Sequence, residues 1–177
     1  MHKLIDIFTR YLIALALAFP NLFIFYFTFT PLTIYSSYFL LNIFFNTSLT
    51  GNLITITNTS IVIIPACIAG SAYYLLTILN LTTPMKLKTR IYSLLFSYFV
   101  FLLINILRIF TVSVLFVYYP GIFFLTHLLF WYVLSTLFVV GIWFLSVKIF
   151  KIKDIPAYTD LKTIAKEIKP KKRTKKF

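Results

Sequence analysis

The sequence predicts an all-α integral membrane protein. Its 177 residues have a mean hydropathy of +0.94, and 12% of them are charged while 20% are aromatic. These values lie far outside the composition of a soluble domain. A helix needs about 20 apolar residues to cross the hydrocarbon core of a bilayer. Four stretches have or approach that length, and we expect them to be transmembrane helices: 11–30, 67–83, 91–118 and 124–147.

The basic residues predict the orientation of these four crossings. The chain has 17 Lys and Arg against 4 Asp and Glu, and the basic residues cluster beside the apolar stretches. Four crossings put all three clusters on the cytoplasmic side of a plasma membrane, as the positive-inside rule requires. Anionic lipid headgroups account for this charge, so no nucleic-acid partner is expected. The clusters are Lys3 with Arg10, then Lys86, Lys88 and Arg90, then the tail from Lys148.

The segment 31–66 is then expected outside the membrane, and it is too long for a simple loop. Pro31 suits a helix N-terminus, so we expect 31–46 to be a helix that lies in the outer interface. A fifth crossing is the alternative, and it would move the amino terminus outside. Residues 53–64 first alternate between apolar and polar side chains and then form a β-branched run around Asn58. This pattern predicts a small β-hairpin that leads to Cys67.

Residues 1–147 are predicted to form a multi-pass membrane domain, and 148–177 a basic cytoplasmic tail. The tail contains a possible short surface helix at 158–168 and ends in a basic run that we expect to be disordered.

The inventory of reactive side chains excludes several kinds of site. All four acidic residues lie near the termini, so no carboxylate is expected in the membrane or outside it. This argues against aspartyl intramembrane proteolysis, carboxylate proton relays and carboxylate-bound divalent metals. A single cysteine excludes an intrachain disulfide and a CxxC zinc or redox site. No metal and no cofactor are therefore predicted.

Three candidates for chemistry remain near the outer ends of different helices: Arg108, His127 and Cys67. Arg108 lies inside a predicted span, where an arginine usually faces a wet cavity or pairs with another group. Asn105 lies on the same helix face, either to orient Arg108 or to bond between helices. His127 has the only side chain there with an ordinary pKa near neutrality. Both Arg108 and His127 also have plain structural interpretations, as a clamp on backbone carbonyls and as a passive hydrogen-bonding group.

Cys67 is the third candidate. Pro65 suits the first helical position and Gly70 permits close approach of a neighbour, so the thiol is expected in the first turn of a span, where the helix dipole favours a thiolate. A buried thiol that packs as an apolar group is the simpler interpretation.

These residues resemble the exosortase and archaeosortase family of membrane cysteine transpeptidases. The resemblance rests on "PACIAG" at 65–70, on "NILR" at 105–108 and on His127 after a short Pro-Gly turn, and it covers roughly 31–145. Two positions depart from the family pattern: Ile68-Ala69 replace a small residue and glycine after the cysteine, and Leu128 replaces an acidic residue after the histidine. His127 therefore lacks the orienting carboxylate of many relatives.

The resemblance implies an enzyme that acts at the outer face on the C-terminal sorting signals of exported proteins. Such a signal has a short motif, one transmembrane helix and a basic cluster. Cys67 would be the nucleophile, His127 would transfer protons, and Arg108 would stabilise the thiolate or the oxyanion. The archaeal members of the family imply a membrane lipid as the acyl acceptor, and water in its place would make the protein a simple protease. A small transporter or channel subunit, with Arg108 as an anion site, and a non-catalytic assembly protein are the alternatives.

Overall fold

A computed structural model describes residues 2–57 and 59–168. The predicted helical fold with a small β element before the cysteine is confirmed. The described residues form eight α-helices, one π-helical segment and one three-stranded sheet. Three helical segments in this part of the chain are long and apolar enough to cross a membrane: Phe23–Phe44, Leu87–Tyr118 and Pro120–Ile149.

The first predicted span, 11–30, is wrong because the helix is interrupted within it. Helix α1 covers His2–Ala18 and α2 covers Phe23–Phe44. Pro20 lies between them and has no N–H with which to continue α1. Asn21 and Leu22 then take positive φ values of 49° and 59° and redirect the chain.

The separate helix predicted at 31–46 is also wrong. Residues 31–44 are the second half of α2, which continues through Pro31. A proline inside a helix costs about 3 kcal/mol. Phe25, Phe29 and Leu41 pack in the core on both sides of Pro31, and these contacts hold the helix in place through the proline.

The sheet is an antiparallel meander in the order β1-β2-β3. Strand β1 covers Thr47–Thr50, β2 Leu53–Ile56 and β3 Thr59–Val62. The predicted hairpin at 53–64 corresponds to β2 and β3, although Asn58 in its turn lies outside the described residues. Strand β1 was not predicted, because "TSLT" has one apolar residue and no alternation.

Two consecutive helices follow the sheet. Helix α3 is a single turn, Pro65–Ile68, and α4 covers Gly70–Leu81. Ala69 separates them with a left-handed φ of 58°. The predicted span 67–83 is therefore not one helix, and Pro65–Leu81 is shorter than the three long apolar segments.

Helix α5, Leu87–Tyr118, orders the other elements along its length. Helix α4 is antiparallel to it, since Asn80 bonds Ser93 while Tyr73 packs on Phe101. Helix α2 is parallel to α5. Its Phe29 packs on Tyr98, and its Phe44 packs on Phe110. We call the end of the bundle with Tyr118 and the sheet the sheet end, and the end with the 82–86 loop the basic end.

The chain returns from the sheet end through α6, Pro120–Leu129, a π-helical segment, Phe130–Leu134, and α7, Ser135–Ile149. Ser146 of α7 bonds Ser97 of α5 at 2.9 Å, so these two helices are antiparallel. The predicted span 124–147 falls within this helical run.

The tail folds back on the basic end. The expected helix at 158–168 is α8, Tyr158–Ile168. Asp160 on α8 accepts a hydrogen bond of 2.8 Å from Arg10 on α1, and both side chains are buried. Arg10 also donates to the carbonyl of Leu81 at the end of α4. The basic run predicted for the end of the tail, 169–177, lies outside the described residues.

Candidate active site

Cys67 lies on the isolated turn α3, between the sheet and α4. Its backbone N–H donates to the carbonyl of Ile64 at 2.8 Å, and its side chain is half-buried. The expectation that Cys67 occupies the first turn of a long helix is wrong, because Ala69 ends α3 after one turn. One turn aligns too few peptide dipoles for a substantial macrodipole. Any activation of the thiol must therefore come from its neighbours.

Asn105 holds the backbone of this turn. Its Nδ2 donates to the carbonyl of Cys67 at 2.9 Å and lies 3.5 Å from that of Ile68. These carbonyls are at the C-terminal end of α3, where no helical N–H follows to satisfy them. Of the two roles that the sequence left open for Asn105, the structure shows the bond between helices.

Arg108 is buried on the same face of α5. Its Nη1 donates to Oγ of Ser135 at 3.1 Å, and that hydroxyl donates to the carbonyl of Phe130 at 2.7 Å. The π-helical segment begins at Phe130 and ends directly before Ser135. Such segments are frequent at functional sites. Arg108 and Cys67 line the same cavity. Ser135 could not be found from the sequence, because "FWYVLS" contains no glycine or proline to mark a helix distortion.

His127 lies on α6, and its ring stacks on Phe123 with 5.5 Å between ring centroids and 17° between ring planes. The imidazole is half-buried. The neighbouring Leu128, which stands where many members of the resembled family carry an acid, is exposed.

The three candidate residues line one cavity at the sheet end. Its volume is about 260 Å³, and α3, α5, α6 and the strand before the cysteine form its walls. Most of the lining is aliphatic or aromatic, and no carboxylate is among the described residues that line it. The polar members of the lining are Ser60, Cys67, Arg108, Ser113 and His127.

Gly70 contributes to packing beside the site. A Cβ at this position would lie 2.8 Å from Cζ of Tyr26, closer than real contacts allow. The close approach expected from the sequence is therefore that of α2 to the start of α4. Gly70 does not line the cavity.

No family model, curated protein or solved structure matches this chain. Its function must be argued from the site itself. Within the described residues, no group of three or more His, Cys, Asp or Glu side chains is placed to hold a metal ion.

Proposed function

We propose that the protein is a membrane cysteine transpeptidase that resembles exosortases and archaeosortases. The observation that carries the proposal is that Cys67, Arg108 and His127, from three different helices, line a single cavity. A thiol beside a cation and an imidazole is a recognised arrangement for nucleophilic acyl transfer. Most of the lining is apolar, and an apolar surrounding strengthens charge interactions inside the cavity.

The chemistry has two steps. The thiol of Cys67 gives its proton to His127, and the resulting thiolate attacks the carbonyl carbon of the scissile peptide bond. The C–N bond breaks, His127 returns the proton to the leaving amine, and a thioester remains on sulfur. In the second step an acceptor nucleophile, which we propose to be a membrane lipid, gives its proton to His127 and attacks the thioester carbon. The C–S bond breaks, the acyl group stays on the acceptor, and the sulfur leaves as the thiolate and takes the proton back from His127. Arg108 stabilises the thiolate and the oxyanion.

Ser135 fixes the direction of the guanidinium in this scheme. A buried arginine whose hydrogen bonds are satisfied on one side presents its remaining N–H groups in a fixed direction. Asn105 acts as a positioning residue, because it holds the carbonyl of the nucleophile's own residue.

We place the protein in the plasma membrane with the basic end in the cytoplasm. In this arrangement α1 and α2 form one interrupted crossing and α3 and α4 a second, while α5 and α6–α7 are the third and fourth. Lys86, Lys88 and Lys148 then lie on the cytoplasmic side. Arg108 is ten residues before Tyr118, so its backbone lies about 15 Å below the outer end of α5, at the inner end of the cavity.

The test is to follow a substrate in cells. Exported proteins of the source genome that end in a short motif, an apolar stretch and a Lys/Arg cluster are co-expressed with the chain or with its Cys67→Ala variant. We expect the intact protein to shorten at least one of them on a gel, and the variant to leave it at full length. A hydroxylamine-sensitive adduct on the intact protein would report the thioester.

Thr111→Val is the matched control for substitution of Arg108. Thr111 is exposed on the same helix, and its hydroxyl donates to the helix backbone at Leu107. Processing that continues in Cys67→Ala would end the enzyme proposal. Anion flux in liposomes that survives Cys67→Ala and is lost in Arg108→Ala would support a transporter instead.

A further inference from the structure

Strand β3 is an edge strand, and its unpaired edge has a definite set of hydrogen-bonding groups. In an antiparallel pair, residues alternate between those that bond the partner strand and those that direct N–H and C=O away from it. The N–H of Ile63 donates to the carbonyl of Asn52 at 2.9 Å, beside β2. Positions 59, 61 and 63 therefore bond towards β2. Ser60, Val62 and Ile64 direct their backbone groups to the opposite side.

This edge runs along the cavity that contains Cys67. Five consecutive residues, 60–64, line the cavity. A cavity against one face of a strand would be lined by every second residue, because side chains alternate between the two faces. Five in succession indicate that the cavity follows the edge itself. The edge is about 13 Å long, at about 3.3 Å per residue, and it ends beside the nucleophile.

The edge also lacks the features that usually protect an unpaired strand. Such edges normally carry a charge or a proline, and 59–64 contains neither. Of its backbone groups, the carbonyl of Ile64 accepts from Cys67. In the part of the chain that the structure describes, no other element bonds the N–H groups of Ser60, Val62 and Ile64. Backbone groups of this kind at membrane depth are tolerated only where they line a cavity or are buried in protein.

We propose that the free edge of β3 binds the main chain of the substrate as an added strand and delivers its scissile carbonyl to Cys67. This inference rests on the proposed function, and it names the substrate class as an extended peptide segment. Main-chain bonds supply the affinity. Arg108 and the absence of a lining carboxylate disfavour basic side chains next to the scissile bond. A substrate that enters from outside with its anchor in the membrane runs parallel to β3.

The test uses the fact that Cys67 is the only cysteine, so thiol alkylation of the full chain reports on this site. The probes are acetyl-tetra-alanyl chloromethyl ketone, acetyl-alanyl chloromethyl ketone and iodoacetamide, with the protein in nanodiscs. We expect the tetra-alanyl probe to react about tenfold faster than the mono-alanyl probe, because it adds main-chain hydrogen bonds. N-methylation of alternate alanines is expected to abolish this gain.

Val62→Pro removes an N–H from the free edge without removing a bond to β2, and it should also abolish the gain. The matched control is Thr47→Pro on the opposite edge. The carbonyl of Asn46 bonds Thr57, so by the same alternation the N–H of Thr47 also points away from β2. Thr47→Pro should keep the tenfold gain. If both variants lose it through unfolding, the N-methylated probes on the unaltered protein decide.

The outcomes separate the two proposals. Equal rates for methylated and unmethylated probes, with iodoacetamide still reactive, would overturn the added strand and leave the thiol enzyme standing. A dimer that dissociates in Val62→Pro would show that the edge binds a second copy, which also overturns the inference. A thiol inert to all three probes would contradict the proposed function itself.

Discussion

Replacing Asp160 with alanine is expected to destabilise the protein by about 3–5 kcal/mol. Asp160 is 2% exposed and Arg10 is 3% exposed, and their nitrogen and oxygen atoms are 2.8 Å apart. Removal of one partner from a buried ion pair leaves the other charge buried without compensation, which is the source of this cost. Arg10 keeps its bond to the carbonyl of Leu81 and its contact with the exposed Asp6, so the lower end of the range is expected.

The chain provides a matched control for this prediction. Asp6 pairs with the same arginine at 3.1 Å, but its side chain is 65% exposed. Asp6→Ala should therefore cost less than about 1 kcal/mol, as exposed ion pairs usually do. Both variants are compared by reversible unfolding in mixed micelles, together with limited proteolysis of the 150–157 connection, which should be cut faster when α8 detaches. An Asp160→Ala variant no less stable than Asp6→Ala would refute the docked position of α8.

Two further variants test the packing around the site. Gly70→Ala should cost about 1–3 kcal/mol through overpacking against Tyr26, and Tyr26→Leu in the same chain should restore most of it. Gly121→Ala should not lower the free energy of unfolding, because no atom lies within 4 Å of the added Cβ. A similar loss of stability in both glycine variants would contradict this account. Asn105→Ala should cost about 1–3 kcal/mol and speed iodoacetamide alkylation of the cysteine, because α3 opens more often. Asn80→Ala loses a comparable buried amide far from the site, and equal alkylation rates in these two variants would argue against a positioning role for Asn105.

The helices could be predicted from the sequence where a single apolar run has no interruption, as in α5. They could not be predicted where two prolines fall in one run. Pro20 ends a helix and Pro31 does not, although both stand among aromatic and aliphatic residues. The difference comes from packing, since Phe29 and Ile34 beside Pro31 are buried in the core while Phe19 beside Pro20 is exposed. The local sequence does not indicate which of its residues a distant helix will pack against.

That Cys67, Arg108 and His127 line one cavity could be predicted, because reactive side chains are so few in an apolar chain. Their partners could not. Ser135 and Asn105 owe their roles to the pairing of α5 with α7 and with α3, which brings together residues 27 and 38 positions apart. The left-handed backbone conformation of Ala69 could not be predicted either, because alanine favours the continuation of a helix. That single residue separates the cysteine from the long helix to which the pattern assigned it.

On the proposed mechanism, the sheet has a physical role in binding the substrate. Within a helix every backbone N–H beyond the first turn is already bonded, so a helical bundle has no row of free main-chain groups along which an extended peptide could bind. Strand β3 provides such groups, and the chain passes from it to the thiol within five residues, 63–67. The one-turn α3 keeps Cys67 at the end of that edge, whereas a longer helix starting before Cys67 would move the thiol away from it. On the proposed mechanism, the interruption at Ala69 and the free edge of β3 are two parts of one arrangement, in which a substrate strand and the sulfur that attacks it are aligned by the same segment of chain.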